Sequence, residues 1–395
     1  MKTMAMVPML GIDNKTDETQ LVRGGEAPAV FLRDALNVDI SAEGRPSIRK
    51  GLRKVSDLQL LDLLHDDLHG DTFGRDADQY LVRVDMATGT ADRLHYAGDS
   101  PLSLVAQATR VIFATAEGLL AYNGDRAAAF TIQTPPAPMA TAETGGALAA
   151  GQYGVAVAWL RGDMESATSQ AAHIAAPGAG RLRVLLPYCM DPTVDRVRVF
   201  VTDPDGSRLQ EFGTFPIGTL EADIASVSAL LGEPRFRHMD VMPSGLYLAL
   251  WQGRLVTARR NVLHFSEPMA LHINDPRHGF IQMPQRITFV APVDGGLWVG
   301  QVDHVAFLAG QDVRGLTLSR RRCEPPVPGS AVIVDGSIAK ETGGRPAAAW
   351  LAGNGHVLGM PDGALIEPRR GRIYGIFGNT GRSITLDSKV MTFVR

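Results

Sequence analysis

The sequence predicts an all-β protein: a β-propeller-like body carrying an inserted β-sandwich of immunoglobulin or fibronectin III character. Three observations lead there. Short alternating apolar runs recur in pairs around tight turns, equivalent residues of neighbouring pairs lie about 40 positions apart, and that spacing breaks once in mid-chain. The 42 glycines and 24 prolines punctuate these runs throughout, as in many-stranded β proteins.

The first element is the stretch RDALNVDISAEGRPSIRKGLRKV from Arg33, in which Ser41 to Pro46 form a turn between two strand-like runs. LQLLDLLH, from Leu58 to His65, is short enough to read as helix or strand. Hairpin-like units follow: DQYLVRVDMATG from Asp78, RVIFATAEGLLAYNGD from Arg110, RLVTARRNVLHFSEP from Arg254, GLWVGQVDHVAFLAGQD from Gly296 and GHVLGMPDGALIEP from Gly355. Leu81 and Leu120 are 39 residues apart, and Leu255 and Leu297 are 42 apart, close to the roughly 40–50 residues of a four-stranded blade. From Ile112 to Leu255 the gap is 143 residues, so something is inserted. The linker-like TPPAPMATAETGG from Thr134 introduces it. Tyr153, Val155, Val157 and Trp159 then alternate with small residues, and further alternation follows in RLRVLLP, DRVRVFVTDPDG and LQEFGTFPIG.

The expected map is therefore 1–138, first part of the propeller; 139–235, the inserted sandwich; and 236–395, the second part of the propeller with a closing C-terminal strand. The sandwich is expected to end in a short helix over 219–231, where Leu220, Ile224, Val227 and Leu231 recur at helical spacing.

Composition removes several classes. Hydrophobic residues at 45% and charged residues at 21% match globular proteins rather than disordered ones. A net charge of −3 gives no global attraction to nucleic acid or anionic membrane, so any such attraction must be local. Two cysteines, Cys189 and Cys323, provide neither a disulfide framework nor a zinc spacing, which suits a reducing compartment. Asp13 interrupts the opening apolar run, so no export leader is expected, and no run of about 18 apolar residues predicts a membrane-spanning helix.

Motifs with catalytic spacing are not evident. His65, Asp66, Asp67, His69 and Asp71 form the densest ionisable cluster, but Gly70 and the missing helical pattern favour a polar loop over a metal site. Neither G-x-S-x-G nor a phosphate-cradling G-x-x-x-x-G-K-[ST] occurs. No enzyme, cofactor or metal is expected. Basic clusters remain: Arg45, Arg49, Lys50, Arg53 and Lys54; Arg320, Arg321 and Arg322; and a third group, Arg369, Arg370 and Arg372. The first two are the candidate contacts with DNA or a neighbouring subunit. No aromatic residue interleaves them, as single-strand binding would favour.

Several phrases carry a resemblance. GIDN at Gly11 to Asn14, the stretch from Arg33, WQGRLVTARRNVLHFSEP from Trp251 and AWLAGNGHVLGMPDG from Ala349 resemble the tail hub and nozzle proteins of tailed bacteriophages. These include packaged-DNA stabilisation and tail tubular protein B types. GQYGVAVAWLRGDMESATS resembles that group's inserted immunoglobulin-like domain. The resemblance implies a virion tail protein made in the host bacterial cytoplasm and assembled as a homo-hexameric ring. Its implied partners are connector or adaptor proteins, tail fibres or a needle, and packaged double-stranded DNA held in the lumen without sequence specificity. No membrane insertion by this chain is implied. The chain is shorter than the larger nozzles. Two other readings stand beside this one. The first is a carbohydrate- or receptor-binding propeller of a virion or bacterium, using Trp251, Trp298 and Trp350. The second is a hydrolase built on the His65 to Asp71 cluster.

Overall fold

The structure is a computed structural model that describes residues 7–23, 28–41, 43–49, 51, 53–336, 342–386 and 389–395. Strands dominate. Among the described residues the helical segments are two single 3-10 turns, Glu18–Gln20 and Val313–Gly315.

Four consecutive strands build each repeat unit. Leu61–His65, Thr72–Arg75, Tyr80–Val84 and Ala91–Tyr96 form the first sheet, each antiparallel to the next. The second runs from Ser103–Gln107 through Arg110–Ala114 and Leu119–Tyr122 to Ala127–Ala129. After the insertion come a third sheet beginning at Leu246–Trp251, a fourth at Ile287–Val293 and a fifth at Val332–Gly336. Within the segment 58–65, Leu61–His65 is thus a strand, and Leu81 with Leu120, like Leu255 with Leu297, occupies the same strand of successive sheets.

Period two explains how these sheets stack. Along Arg110–Ala114, Val111 and Phe113 enter a core shared with Phe73 and Leu81 of the sheet before. Ile112 and Ala114 face the other way, into a core with Leu248, Leu255 and Leu271 of the sheet after. The second to fifth sheets each pack into a core on both faces, so alternate side chains serve different neighbours. The pattern continues: Trp251 and Phe265 pack with Leu297 and Leu308, Trp298 and Phe307 with Trp350 and Val357, and Val334 and Ala349 with Val390 of the terminal hairpin. The first strands converge. Asp62, Ser103, Tyr247 and Thr288, from the first strands of four sheets, and Arg382, from the terminal hairpin strand Gly381–Leu386, line one hollow of about 410 Å³. Sheets stacked face to face around a common axis, inner strands inward, make the body β-propeller-like.

The insertion folds as two sheets between Met139 and Ile224. Met139–Leu148, Gly180–Leu185 and Glu221–Ile224 form one; Gly151–Arg161 and Arg196–Thr202 centre the other. Tyr153, Val155 and Val157 meet Leu182, Val184, Ala222 and Ile224 across one core. These sheets dock on the body: Ala167 packs with Phe236, Ala270 and Ile273, and His272 Nε2 donates to the Glu165 carbonyl at 2.9 Å.

The expected helix over 219–231 does not form. Glu221–Ile224 is a strand paired with Gly180–Leu185, Ala222 and Ile224 pointing into the core. The four residues of the expected helical face separate: Ile224 and Val227 pack on the insertion's core, whereas Leu220 is 77% and Leu231 63% exposed. An open strand edge and a two-residue period decide the segment. The C-terminal strand also closes differently from the simplest expectation. Lys389–Val394 pairs with Gly381–Leu386, and Lys389 Nζ approaches Asp39 Oδ1 of the N-terminal hairpin at 3.6 Å. The chain ends meet elsewhere, through GIDN. Asn14 donates from Nδ2 to the Tyr374 carbonyl and accepts at Oδ1 from the Tyr374 amide, both at 2.9 Å. Arg369 Nη1 donates to the Leu10 carbonyl at 3.2 Å, and the Arg372 guanidinium lies 4.0 Å from the Phe31 ring centre. Gly11 has φ +112°, and a Cβ there would lie 3.0 Å from the Arg369 guanidinium, so this close approach favours glycine.

Candidate functional site at the blade rim

The three basic clusters separate into two places. Around the SAEGRP turn, Val38–Ile40 pairs with Pro46–Ile48, and Gly44 bonds back to Ser41, so the expected hairpin forms. Arg45, Arg49, Arg53 and Lys54 are all exposed; Lys50 lies outside the described residues. Arg49 Nη2 approaches Asp39 at 3.4 Å and Lys54 pairs with Asp57, so part of this charge is locally neutralised.

The other two clusters meet. Arg320 and Arg321 end the outermost strand of the fourth sheet, Thr317–Arg321, while Arg370 follows the last strand of the fifth, Leu365–Ile366. Together with Lys15, anchored beside Asn14, they surround a cleft of about 770 Å³. Arg320 and Arg322 are exposed, whereas Arg321 is half-buried, as alternation along a strand dictates. The Arg321 Nε atom is buried without a hydrogen-bond partner.

The acidic groups of the cleft are mostly engaged. Glu367 accepts from Asn354 Nδ2 at 2.7 Å and pairs with Arg370 at 3.4 Å. Asp303 accepts from His304 Nδ1 at 2.6 Å, which holds its carboxyl below the usual value despite partial desolvation. Gln301 Nε2 sits 2.8 Å from His304 Nε2, an arrangement that keeps the His304 proton on Nδ1. Arg320 approaches Asp303 only at 3.9 Å. Cys323 lies in the same wall, its thiol pushed up to about 12 by burial, with Glu367 and Glu324 adding to the shift. The cleft presents guanidinium groups with free donors, a surface suited to carboxylates and phosphates.

Sequence reasoning found Arg320 to Arg322 and Arg370, but not that they share a cleft, and it missed Lys15, Asn354 and Glu367. Asn354 had a signal: it sits in the GNG turn of AWLAGNGHVLGMPDG. The His65 to Asp71 cluster is a turn. Asp66 accepts from the Leu68 and His69 amides at 3.0 Å, His65 Nδ1 lies 3.1 Å from Thr72 Oγ1, and His69 packs edge-on against Tyr122. Among the described residues no group of three His, Cys, Asp or Glu is placed to hold a metal. Trp251, Trp298 and Trp350 are 3%, 0% and 0% exposed inside inter-sheet cores, so none offers a ring face to a sugar.

No family model matches the chain, and no curated protein is similar to it. Solved structures similar to it include BamB from Moraxella catarrhalis, at 12% identity and a TM-score of 0.34, covering 83% of this chain and 82% of that one. The Cps50 (Swd1) β-propeller domain of Myceliophteria thermophila is 10% identical with a TM-score of 0.32, over 87% of this chain and 98% of that one. The Neurospora crassa Pan2 WD40 domain gives 10% and 0.32 over 76% and 74%. Superpositions this loose assign no function, and the fold description rests on the chain's own sheets.

Proposed function

We propose that the chain is a non-catalytic assembly propeller, and specifically a subunit of a phage tail hub or nozzle ring that retains packaged DNA and lets it pass on ejection. The observation that carries this reading is the rim. Cations gather on outer strands and turns, where a neighbouring subunit or a polyanion reaches them, rather than in the inter-sheet cores. The GIDN phrase supports it, because it joins the two chain ends into one closed body. The inserted sheets, read as an immunoglobulin- or fibronectin-like sandwich, suit a module that contacts a further tail component.

A receptor-binding propeller is the second reading, favoured by the blade architecture itself, which needs no virion. Its sugar-stacking version cannot use the buried tryptophans. Native mass spectrometry of the purified chain, alone and with connector protein, tests the leading reading. Six-subunit rings are expected, and the double variant Arg320→Glu, Arg322→Glu should reduce them at least tenfold. A monomer under every condition, connector present, would overturn it.

A further inference from the structure

The hollow where the first strands converge has an unbalanced charge. Arg260, Arg286 and Arg382 line it, with Asp62 as the one carboxylate among the described residues. Asp62 is already committed: Arg75 Nε donates to its Oδ2 at 3.2 Å. Among the described residues no carboxylate lies within ion-pair distance of the three lining arginines, and Arg382 Nη2 reaches only the Leu102 carbonyl, at 3.2 Å. Like charges crowded into one concave site raise each other's energy unless an anion joins them.

Neutral donors complete the lining. Ser103, Asn379 and Thr380 also line the hollow. The Tyr247 phenol is pushed up by burial, against the opposing influence of Arg286 and Arg382, so it remains a donor at neutral pH. Asp62, Tyr247 and Arg260 all have φ between +53° and +57°, a conformation rare for non-glycine residues, and all three line this hollow.

We infer that this axial hollow binds a small polyvalent oxyanion, a compound bearing phosphate or several carboxylate groups, held by Arg260, Arg286 and Arg382 with the phenol of Tyr247. Its volume of about 410 Å³ suits a compact ligand. Guanidinium forks from different blades converge on it, so the ligand also ties the blades together. The site belongs to the single chain and does not depend on ring assembly.

Isothermal titration of the full chain with citrate, inorganic phosphate and pyrophosphate, in low-chloride buffer, tests this. At least one probe should bind saturably at one site. Arg286→Gln and Arg382→Gln should each weaken it at least tenfold, with circular dichroism unchanged because both side chains are exposed. Arg322→Gln, at the rim, should leave it within twofold. Citrate binding alone assigns a carboxylate ligand, and phosphate or pyrophosphate binding a phosphate-bearing one. Absence of saturable binding for all three probes overturns the inference, as does equal weakening by the rim and axial variants.

Discussion

Two hollows of this molecule are rich in arginine, and they are built by opposite rules. At the rim, Arg320, Arg321 and Arg322 are consecutive in the chain, and Asp303, Glu324 and Glu367 stand among the cations. On the axis, Arg260, Arg286 and Arg382 are far apart in sequence, each from a different part of the propeller, and the only acid among the described residues is already paired. A local run of charge marks an outer strand or turn, where solvent tolerates it. Charge on the axis is assembled one residue at a time by the fold. The first kind is visible in a sequence; the second is not.

The largest effect should come from Arg75, which fixes the axial carboxylate. Its guanidinium binds Asp62, the Gly98 carbonyl at 3.1 Å and Asp99 at 3.0 Å, and its side chain is 8% exposed. Arg75→Met leaves Asp62 without its partner at a largely buried site, costing about 3–5 kcal/mol. Urea unfolding would measure it. The freed carboxylate should also compete for the axial arginines and weaken anion binding. A variant as stable as the parent would show that Asp62 is not held this way, and the charge contrast between the hollows would fail.

A smaller effect is expected at the rim. Asn14→Ala removes both side-chain bonds to Tyr374 and should cost about 1–2 kcal/mol, because the site is exposed. Trypsin should then cut faster after Arg370 or Arg372, while axial citrate or phosphate binding stays unchanged. Loss of axial binding in this variant would mean that the two hollows are coupled.

What the sequence made legible follows the same division. Period-two runs and turn residues located the blades, and Leu255 with Leu297 located the repeat, because each strand carries its own pattern. The helix expected over 219–231 gave way to strand pairing: apolar spacing alone does not reveal that Gly180–Leu185 offers an edge to Glu221–Ile224. The joining of Asn14 to Tyr374 spans 360 positions and leaves no local mark beyond the GIDN phrase. The axial arginines leave none at all, since convergence of first strands is a property of closure.

Cys323 offers the smallest and most local test of the rim. Burial pushes its thiol up to about 12, and the carboxylates Glu367 and Glu324 add to the shift. An unfolded cysteine thiol ionises near about 8.5, so between that pH and about 12 the unfolded chain gives up a proton that the folded chain retains. The stability this thiol contributes is therefore complete below about pH 8.5 and declines as pH rises toward 12. Reactivity follows, because the thiolate is the nucleophile. At pH 8.5, iodoacetamide should label native Cys323 at least tenfold more slowly than the urea-unfolded chain, read by peptide mass spectrometry. Asn14→Ala should raise the native rate by opening the cleft wall, whereas Arg286→Gln on the axis should not. Labelling as fast in the native protein as in urea would show that the cleft wall is open already, and that the rim differs from the axis by sequence spacing alone.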